Sequence, residues 1–164
     1  MQLKNFNLSW IDNQEIRSDL EKFIENLIQK KGKDLVAMLI FGSLSQNKGV
    51  FTTDYHSDID LLIISHKLPQ EIIARKLYTA HLSKSLGCGI HQFWYIPSET
   101  SDLIEAHRAF FLEIIKYGKI LFERHHFFTS LKKKIDQILR TRGIKELEHT
   151  WLWPQDIPGC EINW

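Results

Sequence analysis

Between Gln14 and Lys31, apolar residues fall at Ile16, Leu20, Phe23, Ile24, Leu27 and Ile28. That is one stripe of a 3.6-residue period and predicts a helix, with Asp12 or Asn13 to cap it and Gly32 to end it. Leu35 to Phe41 is then apolar without a break. The run is too short for a surface helix and predicts a buried strand that stops at Gly42-Ser43. The polar stretch from Leu44 to Ser57 predicts a loop, with one short helical turn just after Ser43. Asp58-Ile59-Asp60 opens a second buried strand that runs through Ile64. Pro69 suits the first turn of a helix reaching about Lys84, with Ile73, Leu77 and Ala80 facing inward. Gly87 and Gly89 break the chain, and Ile90 to Ile96 predicts a third strand, rich in aromatic and β-branched residues.

A helix near Glu99–Ala106 follows, then one carrying Phe110, Phe111, Ile114 and Ile115 that ends at Gly118. Lys119 to Phe122 predicts a short fourth strand. Phe127, Leu131, Ile135, Ile138 and Leu139 mark a last helix, ended by Gly143. The tail from Trp151 to Trp164 holds Pro154 and Pro158 and predicts irregular structure. This order of helices and strands is that of an α/β or α+β layer fold.

Composition narrows the function classes. The 164 residues are 43% hydrophobic and 25% charged, with a formal charge of +1. Those values exclude a disordered chain and a coiled coil, and no global field advertises a nucleic-acid or membrane partner. The length suits one domain over residues 1–164, with a core of about 14–124 and a C-terminal helix and tail over 125–164. Cys88 and Cys160 are too few for a disulfide framework. No apolar run approaches a membrane span, and Met1-Gln2-Leu3-Lys4-Asn5 does not read as a signal peptide, so a cytoplasmic protein is expected.

The chemistry concentrates in Gly42-Ser43, fourteen further residues, and Asp58-Ile59-Asp60. Side chains at i and i+2 of a strand share a face, so Asp58 and Asp60 converge. Two adjacent carboxylates repel, and a hard cation with oxygen ligands relieves them; magnesium is favoured when a polyphosphate supplies the other oxygens. Gly42 lets backbone approach a ligand closely. A helical turn starting at Ser43 would turn free N–H groups and a hydroxyl outward, toward an anion. A phosphate cradle beside a carboxylate pair fits phosphoryl or nucleotidyl transfer.

Phe41-Gly42-Ser43 and Ser57-Asp58-Ile59-Asp60 together resemble the signature of the polymerase-β-type nucleotidyltransferases, especially their minimal, single-domain bacterial and archaeal members. The strict match covers about residues 35–64, and a looser one runs to about Arg124. The resemblance implies a mixed β-sheet with helices packed on one side, here followed by an extra C-terminal helix and Trp-rich tail. It implies ATP or another NTP as donor and two Mg²⁺ ions held by Asp58 and Asp60. Gly42 and Ser43 would seat the β/γ-phosphates, with Gln46 and Lys48 as further donor-binding candidates. AMP would pass to a hydroxyl, and the acceptor could be a partner toxin of the HEPN type, an aminoglycoside-like molecule or an RNA end.

The chain departs from that pattern in three places. The loop between Ser43 and Asp58 is longer than the family's usual one and lacks its usual arginine. The third acid of the family, on the next core strand, is missing, and His91 is the nearest equivalent. An imidazole suits a base or a metal ligand. The missing acid equally suits a catalytically weak or inactive nucleotide-binding antitoxin that masks a partner. The helix and tail after Arg124 stand outside the signature. Lys132-Lys133-Lys134 with Arg140 and Arg142 form a basic region, read either as a solvated face or as a contact for RNA or an acidic partner. His56 and Asp54 lie near the acids and read more simply as loop residues. Arg75 could neutralise a phosphate or pair with Glu71 four residues away. Trp151, Trp153 and Trp164 suit either a plug for the core or a homodimer or partner contact.

Overall fold

The structure is a computed structural model, and it describes residues 8–46, 49, 58–82, 90–147, 150–152 and 154. Helix α1 (Gln14–Lys31) starts at Asn13, whose side chain accepts the Ile16 N–H at 3.0 Å, and ends at Gly32 in the left-handed region. A short 3₁₀ turn leads into β1 (Leu35–Phe41), wholly buried as its unbroken apolar run requires. The turn α2 (Gly42–Ser45) closes the end of β1, and β2 (Ile59–Ser65) returns beside it. Helix α3 (Ile72–Leu82), β3 (Ile90–Tyr95), α4 (Pro97–Glu105), α5 (Ala109–Tyr117), β4 (Lys119–Glu123) and α6 (Phe127–Thr141) follow.

The four strands form one sheet in the order β3-β2-β1-β4. β1 is antiparallel to β2 and β4, whereas β2 and β3 run parallel, so the sheet is mixed. Its α/β class is the expected one. The helices, however, cover both faces rather than one. Met38, Ile40, Ile59, Leu61 and Ile63 pack with Leu20, Phe23, Ile24 and Leu27 of α1. Ala37, Leu39, Leu62 and Ile64 pack with residues of α4, α5 and α6, among them Ile104, Leu112, Ile115 and Phe128. Two central strands that are apolar at nearly every position present apolar side chains on both sides, and each side needs a cover.

α3 departs further from expectation. Ile73 and Leu77 are 66% and 69% exposed, Ala80 is exposed, and only Leu82 of this helix is buried. Polar ties hold it instead. Arg75 forks onto Glu99 of α4, with both contacts at 2.9 Å, and Lys31 donates to the Tyr78 hydroxyl at 2.9 Å. Arg75 thus pairs with Glu99 and not with Glu71, which accepts the N–H groups of Ile73 and Ala74 at the start of α3. An apolar stripe shows that a helix has a face; it does not say what the face meets.

Part of the tail expected to be irregular is a hairpin, with β5 (Lys145–Leu147) antiparallel to β6 (Thr150–Leu152). Trp151 is partly buried against the α5–α6 side of the core. Trp153, Trp164, Cys88, Cys160, Asp54 and His56 lie outside the described residues. The basic region of α6 is divided by its partners. Lys132 donates to the carbonyls of Lys116 and Gly118 at 3.1 and 2.6 Å, and Lys134 pairs with Glu105 at 3.0 Å. No helix among the described residues is long and apolar enough to cross a membrane.

Candidate active site

Gly42 follows the last residue of β1 with φ at +74°, a conformation that costs an L side chain about 1–2 kcal/mol. A Cβ there would run into Oδ2 of Asp60. Glycine therefore does two things at one position. It makes the turn from strand to helix, and it lets the backbone lie directly against a carboxylate on the neighbouring strand. Phe41 pairs in register with Asp60, which is why the corner and the acid meet. The Ser45 hydroxyl donates to the Gly42 carbonyl at 2.8 Å and holds the corner from within. Ser43 is half-exposed beside it.

Asp58 is exposed at the head of β2, and the Asp60 side chain is 25% exposed. Burial pushes the Asp60 carboxyl above the usual aspartate range; His91 pulls it back, and the charge of Asp58 pushes it further up. His91 stands opposite Asp60 in the parallel β2–β3 register, with Nδ1 3.4 Å from Oδ1 of Asp60 and 61% of its side chain exposed. The structure thus brings Gly42, Ser43, Asp58, Asp60 and His91 to one end of the sheet. Lys48 lies outside the described residues, and Gln46 lines the cleft described next.

That cleft, of about 300 Å³, opens beside Asp60 on the α5 side of the sheet. Phe41, Gly42, Gln46 and Asp60 line it, and so do Phe93 of β3 and Phe110, Glu113, Ile114 and Tyr117 of α5. α5 is held close to the sheet. Gly118 has no room for a Cβ, because the Leu39 side chain and the Ile114 carbonyl occupy that space. Lys132, its ammonium pushed down by burial, caps the carbonyl end of α5.

Sequence reasoning missed this wall. Phe110, Ile114 and Tyr117 at i, i+4 and i+7 line the cleft, while Phe111, Leu112 and Ile115 pack in the core, which Ile114 also joins. The available signal was excess. Six large apolar residues in nine positions exceed what a single core-facing stripe takes.

The carboxylate pair fits a hard divalent cation. Both burial and the adjoining charge of Asp58 penalise the ionised form of Asp60, and a bound cation would offset that penalty. No group of three or more His, Cys, Asp or Glu side chains that could hold a metal occurs among the described residues. The described residues offer a pair of acids here, and donor phosphates and water could complete the shell.

No family model matches the chain. A protein of Methanocaldococcus jannaschii, provisionally named a protein adenylyltransferase, is 25% identical over 134 residues, covering 79% of this chain and 87% of its own. Among solved structures, a toxin–antitoxin with AMP-PNP is similar at a TM-score of 0.47 and 18% identity, over 74% of this chain and 87% of that one. A nucleotidyltransferase-like protein from Exiguobacterium sibiricum is similar at 0.41 and 13%, over 71% and 38%. The chain that carries this glycine-serine corner and Asp-x-Asp pair is thus similar, over most of both lengths, to a protein provisionally named an adenylyltransferase.

Proposed function

We propose that the chain is a metal-dependent nucleotidyltransferase that moves AMP from ATP to a hydroxyl on a partner protein. The single observation that carries this reading is the seating of Asp60, which lines the cleft, against Gly42, with His91 3.4 Å from its carboxylate and the charge of Asp58 acting on it. The name of the archaeal relative supports AMP as the group moved and a protein as the acceptor.

In this reading Gly42 and Ser43 seat the β/γ-phosphates through backbone N–H groups and a hydroxyl. Asp58 and Asp60 would hold magnesium, with phosphates and water supplying the remaining ligands. The metal, when bound, neutralises charge that grows on the phosphate oxygens during transfer. The acceptor oxygen attacks the α-phosphorus, the bond from the α-phosphorus to the bridging oxygen breaks, and pyrophosphate leaves. His91 takes the hydroxyl proton in this reading, a role its exposure and its closeness to Asp60 support. A HEPN-type toxin is the proposed partner, since a cleft of this size leaves a large acceptor to bring its own surface.

The test is magnesium-dependent pyrophosphate release from ATP with and without a candidate partner, comparing the wild type with Asp58→Ala/Asp60→Ala. Release by the wild type alone supports the enzyme. The His91 that stands where the family pattern has its third acid favours a second reading, a nucleotide-binding antitoxin that works by masking its partner. Partner binding without release under any condition would select it.

A further inference from the structure

The cleft has two chemically different ends. At one end lie Gly42 and Asp60. At the other, three phenylalanine rings step outward from the sheet. Phe41 is 9% exposed, Phe93 37% and Phe110 62%. Phe41 meets Phe93 at 5.5 Å between ring centres and Phe110 at 6.4 Å, tilted and edge-on respectively. Leaving a ring as open as Phe110 to water forgoes about 25 cal/mol per Å² of burial. The series begins at Phe41, one residue from the glycine corner, so aromatic and anionic ends are continuous.

We infer that Phe110, with Phe93 and Phe41 behind it, seats the nucleobase of the donor by stacking, while the triphosphate lies toward Gly42 and Asp60. The inference rests on the nucleotidyl-transfer reading above and specifies how its donor is oriented. A nucleotide has an anionic tail and a flat base with apolar faces, which match the two ends in turn. Glu113, exposed on the same wall of α5, adds an orienting charge. The cleft volume of about 300 Å³ is at the lower limit for small-molecule sites, so one nucleotide fills it. Stacking uses the face that every base has, so the platform tolerates different bases and favours purines for their larger area.

The experiment is calorimetric titration of the full chain, in magnesium, with a non-hydrolysable ATP analogue and with inorganic tripolyphosphate. Phe110→Ala should bind the analogue roughly 5- to 150-fold more weakly, the range expected for one base–aromatic stack. Its affinity for tripolyphosphate should be unchanged. Phe110→Leu, which keeps apolar bulk without a flat face, should shift the analogue in the same direction. Phe110→Trp should restore it. Equal analogue binding by the wild type and Phe110→Ala overturns the platform and leaves the transferase reading standing. A wild type that binds neither ligand overturns both. Equal loss of analogue and tripolyphosphate in Phe110→Ala assigns the ring a structural role and overturns the platform. So does unchanged nucleotide affinity with lost transfer to a partner, because the ring would then belong to the acceptor.

Discussion

The two faces of the sheet are built from the same two central strands and finished differently. Under α1, Ile59, Leu61 and Ile63 meet Leu20, Phe23, Ile24 and Leu27, all at most 1% exposed. On the other face, Leu62 and Ile64 are sealed by α5 and α6, but Asp60 at the head of the same strand opens onto the cleft. One face stores stability; the other gives up burial at one end to hold an ionisable pair. The sharpest way to break this contrast is to damage the sealed face alone. Phe23→Ala should cost about 3–5 kcal/mol of unfolding free energy, because α1 cannot collapse onto the space left behind. Urea denaturation measures the loss. Nucleotide affinity of the folded fraction should stay at the wild-type value, and a parallel fall in affinity would show that the two faces are not separate.

On the open face the expected ordering is reversed. Asp60→Asn keeps the shape and removes the charge, and should lower pyrophosphate release by about a hundredfold to a thousandfold, as loss of one transition-state stabilising group commonly does. Far-UV circular dichroism should not change. Residual release above a tenth of the wild-type rate would place the working carboxylate elsewhere.

How much of this contrast is legible in the sequence depends on how local each feature is. β1, β2, the cap at Asn13 and the turn after Phe41 follow from short runs whose physics is self-contained. The convergence of Gly42 with Asp60 follows from two strand ends pairing in register, and unbroken apolar runs do not by themselves specify that register. His91 falls opposite Asp60 for the same reason. The direction of a helix face is different. Ile73 and Leu77 of α3 carry a respectable period yet stand exposed, because polar ties from Arg75 and Lys31 to distant partners fix that helix. The cleft wall is hidden likewise. Phe110 and Phe111 are neighbours in sequence, and only the packing of α5 on β1 at Gly118 decides which ring enters the core.

The corner where the two strand ends meet offers a smaller and more specific test. Gly42→Ala adds one carbon in a left-handed turn and against the Asp60 carboxylate. The backbone conformation alone should cost about 1–2 kcal/mol of stability. Displacement of Asp60 should lower release by about tenfold to a hundredfold, since misplacement of a reacting group by about 1 Å has effects of that size. Asp60→Asn combined with Gly42→Ala should add little to either single loss of activity, because both act through one carboxylate. Full additivity would mean that the glycine serves the phosphates independently of the acid.

The smallest effect separates stability from activity at the same residue. Burial, and then the charge of Asp58, raise the Asp60 carboxyl, with His91 as the opposing influence. A carboxyl whose folded value is raised favours folding only while it is protonated. Its contribution is complete below the unfolded value of about 3.9 and is lost as pH rises through the folded value. Asparagine has no such loss. In metal-free buffer, Asp60→Asn should therefore melt above the wild type at neutral pH, by about 1–3 °C for a chain of this size. The gap should close as pH falls toward the unfolded carboxyl value. Magnesium with an ATP analogue should reverse the order, because only the wild type keeps both carboxylates for the ligand that stabilises the folded state. Melting curves at several pH values decide the matter. A variant less stable than the wild type at neutral pH without metal would mean that the acid pair is a structural asset in its own right, held by His91 rather than waiting for a cation.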